Sequence, residues 1–227
     1  MKNVWLVTLL VGMVGLLYGQ HAYTLGLMSG ININKKLENG WSLNGKTQAR
    51  LDLGKGVFSS YSEIGFEYQF MDVAFQLSRK VGLNNALAGG YFLRFQRSGD
   101  LTHRFIQQFT IVRKYETFRL AHRLMTDQTL RSGRAMTFRA RYRIAADMAL
   151  SGQTVDPGEF YLKINHEYLG RFQGPDFDLE VRLGPALGYA ITDGNKFEWA
   201  FDYRLRPLFQ SPLQSNFVTT INWYRSF

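Results

Sequence analysis

The sequence predicts an all-β fold: a closed, antiparallel, up-and-down transmembrane β-barrel of about twelve strands, within a range of about ten to fourteen. Apolar and polar residues alternate with period two from residue 22 to the end of the chain. Large aromatic rings fill one face of the alternating segments and charged side chains fill the other. The first residues have the layout of an export signal.

That N-terminal segment opens on Met1-Lys2-Asn3, continues as an apolar run from Val4 to Leu17 and ends on Tyr18-Gly19-Gln20. A membrane-spanning helix needs about 20 apolar residues, and Gln20 and His21 arrive too early for one. Residues 1–19 are therefore expected to be a signal peptide cleaved after Gly19, although Leu17, three positions before the cut, is larger than usual there. Residues 20–227 are then expected to form one outer-membrane barrel domain.

Composition agrees with dispersed rather than clustered apolar residues. Hydrophobic residues make up 45% of the 227 and aromatics 15%, which is too apolar for a disordered chain. The mean hydropathy of -0.20 speaks against a bundle of membrane helices. There are 18 Phe, 12 Tyr and 4 Trp against only 5 Pro, a balance that suits strands carrying girdles of rings. With no cysteine there can be no disulfide scaffold, thiolate metal site or lipidated cysteine. The net charge of +9 would suit nucleic acid, but an exported chain meets anionic lipid headgroups instead. Outer-membrane lipids are the expected partner, and nucleic acid is not.

Individual segments define the two faces. In Lys196–Arg206, Phe197, Trp199, Phe201, Tyr203 and Leu205 share one side while Glu198, Asp202, Arg204 and Arg206 share the other. Phe160–Tyr168 sets Phe160, Leu162, Ile164, His166 and Tyr168 against Tyr161, Lys163, Asn165 and Glu167. Thr137–Ile144 sets Phe138, Ala140, Tyr142 and Ile144 against Arg139, Arg141 and Arg143. Further runs occupy 22–34, 41–53, 58–70, 72–80, 87–97, 102–113, 116–127, 176–190 and 216–227. Polar or glycine-containing turns separate them, among them Glu38-Asn39-Gly40, Arg97-Ser98-Gly99-Asp100 and Thr192-Asp193-Gly194-Asn195. At Met71-Asp72 the apolar parity switches from even (Ile64, Phe66, Tyr68, Phe70) to odd (Val73, Phe75, Leu77), which either a tight turn or a bulge would produce.

A soluble β-sandwich also alternates, so the charge on the polar face decides between them. In hydrocarbon every strand edge must be paired, which favours a sheet closed on itself with ionic groups turned inward. The rings expected to face lipid are Phe160, Tyr168, Phe197, Trp199, Phe201, Tyr203, Trp223 and Phe227. The last segment, ending on Phe227, is similar to the final strands of many outer-membrane proteins. That likeness implies engagement of the barrel-assembly machinery through the C-terminal strand. Both termini are expected on the periplasmic side.

A set of polar residues spread over most of the mature chain resembles a family of small outer-membrane barrels of unknown function, best known from Bacteroidota-type bacteria. It consists of His103-Arg104, Gln107-Gln108, Arg119, His122-Arg123, Asp127-Gln128, Arg139-Ala140-Arg141-Tyr142-Arg143, Asn165 and Glu167. Thr102 stands where the family pattern tends to carry an acidic residue before the His-Arg pair. The resemblance implies a closed outer-membrane barrel and no particular activity.

The face assignment turns Lys46, Arg50, Arg94, Arg104, Arg119, Arg123, Arg139, Arg141, Arg143, Lys163, Arg182, Arg204 and Arg206 inward. Glu63, Glu67, Glu167, Asp178, Glu180, Glu198 and Asp202 join them. Such a lumen can be cross-braced by salt bridges, as expected of a structural or accessory envelope protein or a subunit of an outer-membrane complex. Alternatively, Arg139, Arg141 and Arg143 on one strand would make a narrow anion-preferring channel. A further alternative is an outer-membrane lipid-acting hydrolase, which would need a serine beside a histidine. His122 and His166 have only Leu120, Leu124, Ile164 and Tyr168 as same-face neighbours, so no catalytic residue is assigned. No metal or other cofactor is expected, because the histidines are scattered and no ligand spacing is present. Gly54-Lys55-Gly56 and Gly89-Gly90 are read as points of close strand approach or turns.

Overall fold

A computed structural model describes residues 22–58, 61–210 and 212–227, so the expected signal peptide at 1–19 lies outside the described residues. Eleven strands follow one another: β1 Ala22–Lys36, β2 Trp41–Val57, β3 Tyr61–Lys80, β4 Asn85–Gln96, β5 Leu101–Lys114, β6 Phe118–Arg131, β7 Thr137–Ala149, β8 Phe160–Gln173, β9 Asp176–Thr192, β10 Asn195–Arg206 and β11 Gln214–Ser226. Each pairs antiparallel with its neighbour in sequence, and β1 pairs with β11 to close the ring. The turn at Glu38–Gly40 is a short 3-10 element in which Asn39 and Gly40 take φ of 54° and 75°, the left-handed region that Asn and Gly tolerate.

The count is eleven rather than twelve because the parity switch near Met71 is a bulge within one long strand. On β2, Arg50 and Leu51 are consecutive, but their partners on β3 are Phe70 and Tyr68, leaving Gln69 as the extra residue. One unpaired residue rotates every later side chain to the opposite face. Tyr68 and Met71 therefore both face outward, while Phe70 turns inward beneath the Arg94 guanidinium, 3.5 Å from its ring centre.

An odd number of strands has a second consequence. In an up-and-down ring each strand reverses the one before, so the eleventh runs in the direction of the first and must meet it in parallel. Ala22 lies beside Gln214 at one rim and Asn34 beside Ser226 at the other. The two ends of the barrel sequence thus emerge at opposite rims, which corrects the expectation that both lie on one side and that all pairing is antiparallel.

The sheet is inside-out relative to a soluble protein. Phe160, Tyr168, Phe197, Trp199, Phe201 and Phe227 are exposed, and Tyr203 and Trp223 are half-exposed on the same outer face. Asp72, Thr102, Asp127 and Glu167 are at most 4% exposed. Soluble monomers seldom expose contiguous apolar patches beyond roughly a few hundred Å². Here large apolar side chains predominate on the outer face, from Leu25 and Ile31 on β1 to Ile221 on β11. The strands are 12 to 20 residues long, against about 10 needed to cross hydrocarbon at a barrel tilt.

One segment stands above the ring. Within residues 61–68 of β3 the strand partners are all on β2, because pairing with β4 begins at Phe70 opposite Gln96. Glu63 and Glu67, expected in the lumen, sit on this overhang, with side chains 53% and 48% exposed. They pair with Lys55 and Arg97 respectively and do not reach the interior.

Close strand approach explains several glycines. A Cβ at Gly90 would lie 2.7 Å from the Phe75 carbonyl oxygen. The inward ring of Tyr161 covers Gly188 of β9 directly, occupying the space a side chain would need. Gly188→Ala is expected to overpack this contact and destabilise the folded barrel by about 1–3 kcal/mol. A lowered urea midpoint of the refolded protein in detergent measures it; an unchanged midpoint contradicts the packing described.

Candidate functional site

The candidate site is the charged interior, and period-two geometry builds it. Asp127 and Thr129 are inward neighbours on β6, Arg139, Arg141 and Arg143 alternate inward on β7, and Arg104 of β5 lies opposite Thr129. Asp127, with no exposed side-chain surface, consequently receives three guanidinium groups. Arg139 Nε lies 2.7 Å from its Oδ1, Arg141 Nη2 3.1 Å from Oδ2 and Arg104 Nε 3.4 Å from Oδ1. The Thr129 hydroxyl donates to Oδ1 at 3.1 Å and accepts from Arg104 Nε at 3.1 Å. The Arg104 guanidinium also stacks over Phe92, 4.1 Å from the ring centre.

A second centre is Asp72, which the bulge turns inward. It accepts from Arg94 Nε and Nη2 at 2.7 and 2.9 Å and from Gln48 Nε2 at 2.7 Å. A two-point guanidinium–carboxylate contact fixes both partners in orientation as well as distance.

A third centre crosses strands β7 to β10. Glu167 lies 2.8 Å from Arg143 Nε and 3.1 Å from Arg182 Nη1; Arg182 Nε also donates to Glu180 at 2.7 Å. Arg204 Nη2 donates to Asp202 at 2.6 Å. Farther along the lumen, Glu198 accepts from the Tyr161 hydroxyl at 2.9 Å and from Lys163 Nζ at 2.9 Å. Glu167 ties β7, β8 and β9 together and Glu198 links β10 to β8 across β9, a bracing that backbone hydrogen bonds alone do not supply, whereas Arg182–Glu180 and Arg204–Asp202 each lie within one strand.

Of the residues expected inward, Arg104, Arg139, Arg141, Arg143, Lys163, Glu167, Glu180, Arg182, Asp202 and Arg204 thus all enter ion pairs. Arg119 lies near the rim, its side chain 52% exposed and 3.0 Å from Asp147. Arg123 is half-buried and makes no ion pair among the described residues. Asp72 and Asp127, two of the principal acceptors, were absent from the residues expected inward, although Asp127 stands among those that carry the family resemblance. Asp127 is in phase with Arg119 and Arg123, so running that alternation to the end of β6 would have found it. Asp72 was hidden by the bulge. Thr102, at the position where an acid was expected, is fully buried and accepts from Gln96 Nε2 at 3.0 Å.

The outward histidines meet tyrosines. His103 Nδ1 and the Tyr91 hydroxyl are 2.5 Å apart, His122 Nδ1 and the Tyr142 hydroxyl 2.8 Å, and His166 packs edge-on against Tyr168.

Removing the Asp127 charge leaves three buried guanidinium groups around a neutral side chain. Asp127→Asn is expected to cost about 3–5 kcal/mol, the scale for breaking a buried pair from one side. Arg119→Ala, at an exposed pair, is expected to cost about 1 kcal/mol or less. Unfolding midpoints of the two variants check the contrast, and equal losses would refute the special position of Asp127.

None of the curated proteins and none of the solved structures compared with the chain matches it. The sequence pattern of the family described as "Protein of unknown function (DUF2490)" matches residues 25–219, from the start of β1 into β11. The chain therefore belongs to the DUF2490 family.

Proposed function

We propose that this protein is an integral outer-membrane β-barrel serving as a structural or accessory component of the envelope, alone or as a subunit of a larger outer-membrane complex. The observation that carries this reading is the pairing of an apolar outer face with an interior cross-braced by ion pairs on most of its strands. In a bilayer the outer rings meet acyl chains, and the closed ring satisfies the backbone groups that hydrocarbon cannot. The bracing suits load-bearing or docking better than rapid passage, because side chains tied in pairs obstruct the lumen. Lipids are the constant partner of such a barrel, and the aromatic outer face offers a surface to other envelope proteins.

A second reading, a narrow anion-preferring channel, is favoured by the surplus of arginine over carboxylate inside. The two differ in planar bilayers. A braced structural barrel is expected to give no steady current. A channel gives anion-selective steps that fall when Arg141 is replaced by Glu.

The mature protein is also expected to fractionate with outer membranes, to need detergent for extraction and to migrate differently on gels before and after boiling. Recovery in the soluble fraction without detergent would end both readings.

A further inference from the structure

Register places one row of inward side chains across five consecutive strands. Arg123 on β6 is directly opposite Arg143 on β7, Arg143 opposite Glu167 on β8, Glu167 opposite Arg182 on β9, and Arg182 opposite Arg204 on β10. Like charges directly opposite one another in a sheet destabilise it. This row contains two such oppositions, Arg123 with Arg143 and Arg182 with Arg204. Its one carboxylate, Glu167, is already shared by Arg143 and Arg182.

On β2, Lys46 is in phase with Gln48, whose side chain reaches the buried Asp72, so Lys46 turns into the lumen, where it interacts electrostatically with Arg143, Arg123 and Arg204 of the row. Asp72 is also near Lys46, but Arg94 and Gln48 hold both its oxygens. Lys46 and Arg123 make neither an ion pair nor a side-chain hydrogen bond among the described residues. The carboxylates bonded to this layer are Glu167, Glu180 and Asp202, three against the five cations Lys46, Arg123, Arg143, Arg182 and Arg204. The Arg143 side chain remains 33% accessible from within the lumen, so the layer is not sealed by its own packing.

We propose that Lys46, Arg123 and Arg143 form a seat for a phosphate-type oxyanion inside the barrel. Planar guanidinium groups match the paired oxygens of a phosphate, and a lysine supplies a third, freely oriented charge. The surplus of two positive charges equals the charge of a phosphate dianion. The group can be free phosphate or the phosphate of a lipid headgroup entering from the rim, since both present the same oxygens. The seat deepens the envelope-barrel reading and rests on it only for the source of the ligand. It requires no open passage.

The full mature chain, purified in phosphate-free detergent buffer, is titrated with inorganic phosphate and, separately, with chloride. Phosphate is expected to bind by calorimetry and raise the unfolding midpoint, whereas chloride at equal ionic strength does neither. Lys46→Gln and Arg123→Gln are each expected to weaken binding about tenfold or more, while Lys114→Gln on the exposed end of β5 leaves it unchanged. Because the double variant Lys46→Gln with Arg123→Gln removes repelling charges, its midpoint without phosphate is expected at or above that of the parent, and its phosphate-dependent rise should vanish. Phosphorus analysis of protein extracted from native membranes separates the sources: bound phospholipid or lipopolysaccharide marks a headgroup, and its absence with a positive titration marks the free ion. The seat is overturned if neither phosphorus nor phosphate binding is found, or if the double variant binds as the parent does. Conductance is a separate measurement, so failure of the seat leaves the envelope-barrel reading to its own test.

Discussion

The structure depends on one constraint: each strand must find a backbone partner on both sides. Closure of β1 against β11 meets it, turning a sheet with two open edges into a ring. Once the ring is closed, the pleat divides side chains between an enclosed lumen and an outer surface. Most rings of Phe, Tyr and Trp, which would make a core in a sandwich, are then turned outward, with Phe70, Phe92 and Tyr161 among those kept inside, while most arginines and carboxylates are confined together. Closure therefore explains at once why the outside is apolar and why the inside must neutralise itself.

Confinement sets the character of the lumen. An isolated arginine in so enclosed a space would be costly, and the cost is met by sharing carboxylates among several cations. Asp127 serves Arg104, Arg139 and Arg141, and Glu167 serves Arg143 and Arg182. Sharing makes each carboxylate a joint between strands that are not always hydrogen-bonded neighbours. Arg104 on β5 and Arg139 on β7, for example, are linked through Asp127 on the strand between them. It also leaves the interior short of negative charge, most plainly where Lys46 and Arg123 face one another's neighbours.

Much of this was legible in the residues. The alternation in Lys196–Arg206 places Glu198, Asp202 and Arg204 inside and Phe197, Trp199 and Phe201 outside without any knowledge of the neighbouring strands. Arg139, Arg141 and Arg143 were likewise readable as one inward column. The expected count of about twelve strands differs by one because a bulge at Gln69 and a tight turn at Met71-Asp72 leave the same mark on parity. That ambiguity also concealed Asp72 and placed Glu63 and Glu67 in the lumen when they stand on the overhang beyond it.

By itself the sequence determined which face of each strand is apolar, because side-chain direction follows from a strictly local period of two. It also determined that the sheet must close, since so many outward rings have no other layer to cover them. Only the tertiary structure decided that the closing pair is parallel, that the chain ends lie at opposite rims, and which cation meets which carboxylate. Those outcomes depend on strand number and cross-strand register, and a single extra residue in one strand shifts both without altering the alternation on either side of it.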